Sequence, residues 1–367
     1  MNVLFIKTYF MKRLYFLLFI SVLSLLNCSK DEPTESEALY FPPINSNSWE
    51  TKSITDLDWN AGAEQPLYDF LEANTTDAFI ILKDGKIVIE KYFGDFGQSS
   101  LHSWNSAAKT LTAFTVGIAQ EEGFLSIDNP SSNYMGTGWS SLTPEQEAKI
   151  TVRNHLTMTT GLDYTVPQNF CTDPECLLYK NEPSTYWYYH QGAYTLLDNI
   201  VTGAVQQDFK DYFNTKIRNK IGMTGSWVKT GSYLNLYFSN ARSMARFGLL
   251  NLNKGVWDKI TILEDQNYFN AMTTTSQDLN KSYGYLYWLN GKSNYKIPGS
   301  ETLFSGKLIP NAPDDLIAGL GAFDQKLYII PSKGLVIVRM GDSGNEDELG
   351  PTEFDNDLWE KINDLID

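Results

Sequence analysis

Strand-forming runs stand at both ends of this chain, and a long helical and irregular stretch lies between them. Ala78-Phe79-Ile80-Ile81-Leu82-Lys83 and Lys86-Ile87-Val88-Ile89-Glu90 are separated only by Asp84-Gly85, a strong signal for a two-residue hairpin. Near the other end, Lys326 to Ile330 and Leu335 to Met340 are apolar β-formers joined by Pro331-Ser332-Lys333-Gly334, a turn-forming tetrapeptide. Tyr283 to Leu289 is aromatic-rich and reads as a further strand. Residues 241–253 place Met244, Phe247 and Leu250 on one helical face, and residues 356–366 predict a closing helix with Leu358, Ile362 and Leu365 inward. Strands at both ends with helices between imply an α+β fold: one antiparallel sheet built from both termini, flanked by helices, with a mainly helical insert over roughly 125–275. No internal repeat interrupts this plan.

The chain has 367 residues, 42% apolar and 14% aromatic, enough for a substantial core. Met11-Lys12-Arg13 followed by Leu14 to Leu26 reads as a secretory signal: a basic start, then an apolar run too short for a comfortable membrane span. Met11 is the expected true start. Leu25-Leu26-Asn27-Cys28 resembles a bacterial lipoprotein processing site, which implies that Cys28 becomes a lipidated first residue. Asn27 departs from the small residue usual there. The expected organisation is therefore a signal over 1–28, a polar tether over 29–55 rich in Pro, Ser, Asn and Glu, and a domain over 56–367. Such a protein would sit in the cell envelope, touching membrane through its anchor alone.

Removing the three basic side chains of residues 1–27 from a total of 29 leaves 26 against 44 acidic groups, a net charge of −18. That surface argues against nucleic acid or anionic membrane as a partner. Cys171 and Cys176 flank Thr-Asp-Pro-Glu, and in an exported protein they are expected to form a local disulfide. The histidines are His102, His155 and His190, and none clusters with the cysteines, so no metal site and no cofactor are expected.

Ser106-Ala107-Ala108-Lys109 opens a helical pattern in which Leu111, Phe114 and Ile118 share a face and Gly123 closes the run. With Asn105 as the expected cap, Ser106 lies in the first turn and Lys109 one turn later on the same face. An amine so placed can take the proton that keeps a hydroxyl a poor nucleophile, and the helix start favours negative charge on the serine oxygen. A second copy, Ser293-Asn294-Tyr295-Lys296, runs straight into Ile297-Pro298-Gly299. Proline and glycine there exclude a helix, so that spacing carries no geometry.

Taken together, several stretches resemble the serine β-lactamase/penicillin-binding-protein superfamily, in its class C β-lactamase-like branch of esterases, D-aminopeptidases and 6-aminohexanoate-dimer hydrolases. They are Asp84 to Val88, Ser106 to Lys109 with Gly117-Ile118-Ala119, Ile150 to Leu162, and Asn240 to Gly248. The resemblance spans about 75–365 and implies that Ser106 is an acylated nucleophile and Lys109 its base. The family's second motif, Tyr-x-Asn, is spelled at Tyr212, Tyr233 and Tyr268, among other places. Their surroundings differ from the family's, whereas Pro183 to Leu197 matches in context. That makes Tyr189 the proton relay, with Gln191 in place of the asparagine. Glutamine is one methylene longer, a change that bears on β-lactam recognition more than on Ser106. The third motif, Lys-Thr-Gly, is spelled at Lys229-Thr230-Gly231, ahead of the 241–253 helix rather than after it. Ala318-Gly319-Leu320-Gly321-Ala322 is the better counterpart. Its small residues permit close approach of a substrate, with Gly321 and Ala322 as expected binding residues, unless the glycines merely serve a bulge. It has no cation for a substrate carboxylate.

The expected activity is cleavage of a small-molecule ester or amide through a Ser106 acyl-enzyme, with poor β-lactam turnover. A non-catalytic binding lipoprotein on the same scaffold, or a β-lactamase or D-Ala-D-Ala carboxypeptidase, stays open. A Gly-x-Ser-x-Gly elbow and a His-Glu-x-x-His zinc motif are both absent from the sequence.

Overall fold

A computed structural model describes residues 38–344, 351 and 353–367. The signal, Cys28 and the first part of the expected tether lie outside the described residues. From Leu39 to Asp367 the chain forms one compact unit. Its centre is a six-stranded sheet of β1 (Thr76–Lys83), β2 (Lys86–Tyr92), β3 (Trp288–Leu289), β4 (Ile317–Gly321), β5 (Gln325–Ile330) and β6 (Leu335–Gly341). The spatial order is β2-β1-β6-β5-β4-β3, antiparallel throughout. The two terminal hairpins meet at β1 and β6, where Ile80 lies opposite Val338 and Lys83 opposite Leu335. Asp84 and Gly85 both take positive φ, +49° and +85°, the mirror-image turn that suits the twist of a two-residue hairpin.

Helices cover both faces. Leu327 of β5 points at α4 (Ala241–Leu252), and Gly248 lets that helix lie so close that a Cβ would collide with Val336. Lys326 and Tyr328 of the same strand point the other way, to Asp355 of α5 (Glu353–Ile366), as a period of two requires. Helix α1 (Glu64–Ala73) packs beside α5. Helix α2 (Lys109–Glu121) is buried from Lys109 to Ala119, so it runs through the interior rather than over it. It packs against α3 (Gln191–Val205).

Three expectations change. The aromatic run from Tyr283 yields only the two-residue β3. Gly284 donates its N–H to the Tyr287 carbonyl and Leu286 takes φ +61°, a tight turn that sends Tyr283, Tyr285 and Tyr287 all into the core. The inserted region also contains a hairpin, Ser226–Thr230 with Leu234–Ser239. Residues 39–55, expected as tether, are docked. Tyr40 N–H bonds the Asp84 carbonyl, Lys52 N–H bonds the Ile87 carbonyl, and Arg246 of α4 donates to the carbonyls of Pro42 and Pro43. Polar composition concealed this because the docking is through backbone groups, which composition does not report.

Candidate active site

The turn carrying Ser106 is fixed before the helix begins. Trp104 is fully buried, its backbone N–H bonding the Tyr237 carbonyl and its indole N–H bonding Ser239 Oγ. Asn105 then takes φ +47°, so it is no helix cap, and residues Asn105–Ala108 form a 3₁₀ turn that leads into α2. The tighter turn serves the same end, because side chains three apart eclipse in it. Lys109 Nζ lies 3.1 Å from Ser106 Oγ.

Neutral groups surround this amine. Nζ donates to Gln191 Oε1 at 2.7 Å and sits 4.0 Å from the Tyr194 ring centroid and 5.0 Å from that of Tyr189. The residue is 3% exposed. Burial penalises its charged form and pulls its pKa down from the ordinary lysine value to about 7. At neutral pH a substantial fraction of Lys109 is therefore a free base. Tyr189 moves in the opposite sense: burial pushes its phenol well above the usual range, while a hydrogen bond with Ser106 works against that shift. The phenol is neutral at pH 7 and carries a proton it can donate.

Tyr189 and Gln191 are held on either side of His190, which caps α3. His190 Nδ1 accepts the Ala193 N–H at 3.0 Å while Nε2 faces the Asp163 carbonyl at 3.2 Å, and burial lowers its pKa. The ring is thereby a neutral imidazole with its proton on Nε2. The start of α3 also leans on the loop closed by the Cys171–Cys176 disulfide, since Gly192 N–H bonds the Asn169 carbonyl and a Cβ on Gly192 would lie 2.5 Å from the Cys171 carbonyl oxygen. Behind Tyr189, Trp288 stacks on its ring at 5.9 Å. Nothing in the sequence marks Tyr194 and Trp288 as walls of this site; each reads there as one aromatic among many.

Strand β4 passes directly over the Ser106 turn. A Cβ on Gly321 would collide with the Trp104 carbonyl oxygen and lie 3.0 Å from Ala107 N, and one on Gly319 would lie 3.1 Å from Ala107 O. The glycines thus admit the protein's own turn, where the expectation was a substrate. The register of β4 on β5 is continuous from Ile317 to Gly321, so no bulge is involved. Ala322 follows, half-buried, its carbonyl accepting from Asn105 Nδ2 at 2.8 Å.

The rejected motifs have other occupations. Tyr212 bonds Glu122, Tyr233 bonds Asp173, and Tyr268 is buried with its hydroxyl on the Ala113 carbonyl. Lys229 and Thr230 are exposed on the inserted hairpin. Trp104 and Trp187 are core, and Tyr164 is buried with the partly exposed Tyr186 and Tyr188 stacked on it. A cavity of about 570 Å³, lined by Asp198, Trp227 and Asn235 among others, lies apart from Ser106. Among the described residues no three His, Cys, Asp or Glu side chains gather as a metal site, and no helix is long and apolar enough to cross a membrane.

A family model described as Beta-lactamase matches residues 71–358. Solved structures of similar fold include a Bacteroides dorei protein described provisionally as a β-lactamase, with TM-score 0.67, 15% identity, and 84% of this chain and 99% of that one covered. A Bacillus anthracis protein described provisionally as a 6-aminohexanoate-dimer hydrolase also has TM-score 0.67, at 19% identity over 89% of this chain and 88% of that one. A Mycobacterium bovis β-lactamase has TM-score 0.57 at 17% identity, covering 81% and 97%. At such identities the likeness is one of fold. No curated protein matches the chain.

Proposed function

The chain belongs to the β-lactamase family, within a serine hydrolase superfamily, and from that premise we propose that it cleaves an ester or amide through an acyl-enzyme on Ser106. The observation that carries the reading is a buried amine 3.1 Å from a serine hydroxyl, facing a neutral amide rather than a carboxylate. Lys109 takes the Ser106 proton as Oγ attacks the substrate carbonyl. The backbone N–H of Ser106 and one from residues 321–323 stabilise the oxyanion, each such donor contributing roughly 3–4 kcal/mol. Tyr189 gives its proton to the departing oxygen or nitrogen and is reprotonated from Lys109. Water then attacks the acyl carbon, Lys109 accepts its proton, and the acid leaves as Ser106 Oγ regains a hydrogen.

Two features favour substrates without a carboxylate. Lys326, the lysine on the strand next to β4, is buried in ion pairs with Asp324 and Asp355, and Gln191 presents a longer amide than the family's asparagine. The expected substrates are neutral esters and linear amides, with poor β-lactam turnover. Fluorophosphonate labelling and a burst from a p-nitrophenyl ester test the chemistry: both should vanish in Ser106→Ala, and labelling that persists there overturns the assignment. Efficient nitrocefin cleavage would overturn the substrate ranking. The same reading makes Cys28 the lipidated residue of an envelope protein, and palmitate incorporation that survives Cys28→Ser would refute it.

A further inference from the structure

The two sides of the proposed oxyanion site come from parts of the chain about two hundred residues apart, and one side chain spans them. Asn105 Nδ2 donates to the Ala322 carbonyl at 2.8 Å. Its Oδ1 accepts from Ser103 Oγ at 2.8 Å, and its backbone N–H donates to the same Ser103 Oγ at 3.1 Å. Ser103 thus dictates which way the amide faces. The residue is held at φ +47°, a region that asparagine tolerates better than most side chains and that tends to persist where the surroundings enforce it, often at working sites.

The far side of this link is equally fixed. Phe323 and Asp324 take φ +59° and +57° in the turn after β4. Arg339, fully buried on β6, donates to both their carbonyls at 3.0 and 3.1 Å, and Gln325 Nε2 donates to Phe323 O at 2.7 Å. The turn is therefore rigid with respect to the sheet, and Asn105 ties the Ser106 turn to it. We propose that Asn105 is a positioning residue for acyl transfer, holding Ala322 at a set distance from Ser106. The proposal rests on the hydrolase reading above and assigns Asn105 no contact with substrate.

Asn105→Gly tests it, because glycine keeps the left-handed backbone without strain and removes both side-chain links. A displacement of the oxyanion donors should lower kcat on p-nitrophenyl acetate about 10–100-fold. KM should stay within about threefold, since a donor that strengthens only in the transition state contributes little to ground-state binding. The acid limb of the pH profile should not move, since nothing around Lys109 changes, whereas a general loosening of the site would shift it. Fluorophosphonate labelling should slow in parallel. Ser103→Ala, which frees the amide to turn, should give a smaller loss of a few-fold with unchanged Tm, and it decides the matter if the glycine variant does not fold. Parental kcat in Asn105→Gly, a shifted acid limb, or parental kcat in Ser103→Ala overturns the proposal. Absence of Ser106-dependent labelling in the unaltered protein overturns the hydrolase reading instead, and this proposal with it.

Discussion

The same four-letter pattern, Ser-x-x-Lys, also spelled at 226–229, occurs at 106–109 and at 293–296, and these two regions fold differently. At the first, a 3₁₀ turn stacks the two side chains and buries the amine against Ser106, Gln191 and two tyrosine rings. At the second, Asn294 and Tyr295 are extended in a two-strand ribbon, and the Lys296 ammonium lies 4.5 Å from the centroid of the Tyr186 ring instead. An extended chain sends residues three apart to opposite faces, so this lysine and this serine do not share a side. Both lysines are mostly hidden from solvent and both have pKa values lowered by burial, but Glu301 raises that of Lys296 again, and no acid is among the causes acting on Lys109. Spelling is shared; what separates base from ordinary lysine is the backbone geometry between the ends of the motif.

The two lysines should part most widely in Lys109→Met. It should lower kcat/KM on a p-nitrophenyl ester by 10³-fold or more, since the nucleophile loses its base. In the unaltered protein the rate should rise as pH passes upward through about 7, because only neutral Lys109 accepts a proton. A stability curve carries the same signature. The folded amine has a lower pKa than the unfolded one, so the unfolded state binds more protons between pH 7 and about 10.5 and stability rises with pH across that window. Denaturant titrations should show this rise in the parent and not in Lys109→Met.

Next in size is Tyr189→Phe, expected to cost about 10²-fold as loss of a general acid. The loss should be larger for an alkyl ester or amide than for a p-nitrophenyl ester, whose departing phenolate needs no proton; equal losses would remove the relay role. Gln191→Met should lower activity by about tenfold or less. Without the Oε1 acceptor the charged amine is less favoured, so the acid limb should shift to lower pH, and a shift upward would contradict the geometry. Lys296→Met should leave kcat/KM within about threefold; a loss like that of Lys109→Met would erase the distinction between the two copies.

Much of this site was legible in the sequence because its logic is local. Ser106 and Lys109 are three residues apart, and Tyr189 and Gln191 sit in one recognisable stretch. The strand hairpins were legible from alternation and from Asp84-Gly85. What escaped was non-local. Asn105 reads as a cap until Ala322 is known to lie beside it, and the glycines of β4 read as room for substrate until Trp104 is known to fill that room. The docked 39–55 stretch is polar, and part of its attachment comes from Arg246, about two hundred residues away. Pairings of that separation leave no periodicity to find.

The first and last strands lie side by side, with Thr76 opposite Gly341. During synthesis the nucleophile's helix therefore exists as sequence long before the strand that roofs it, and the central strand β6 follows Ser106 by more than two hundred residues. Closing so long a loop is slow. A nascent or truncated chain that stops before residue 335 should carry every residue of the proposed chemistry and still be inert, so the ability to acylate would be acquired only once β6 has emerged.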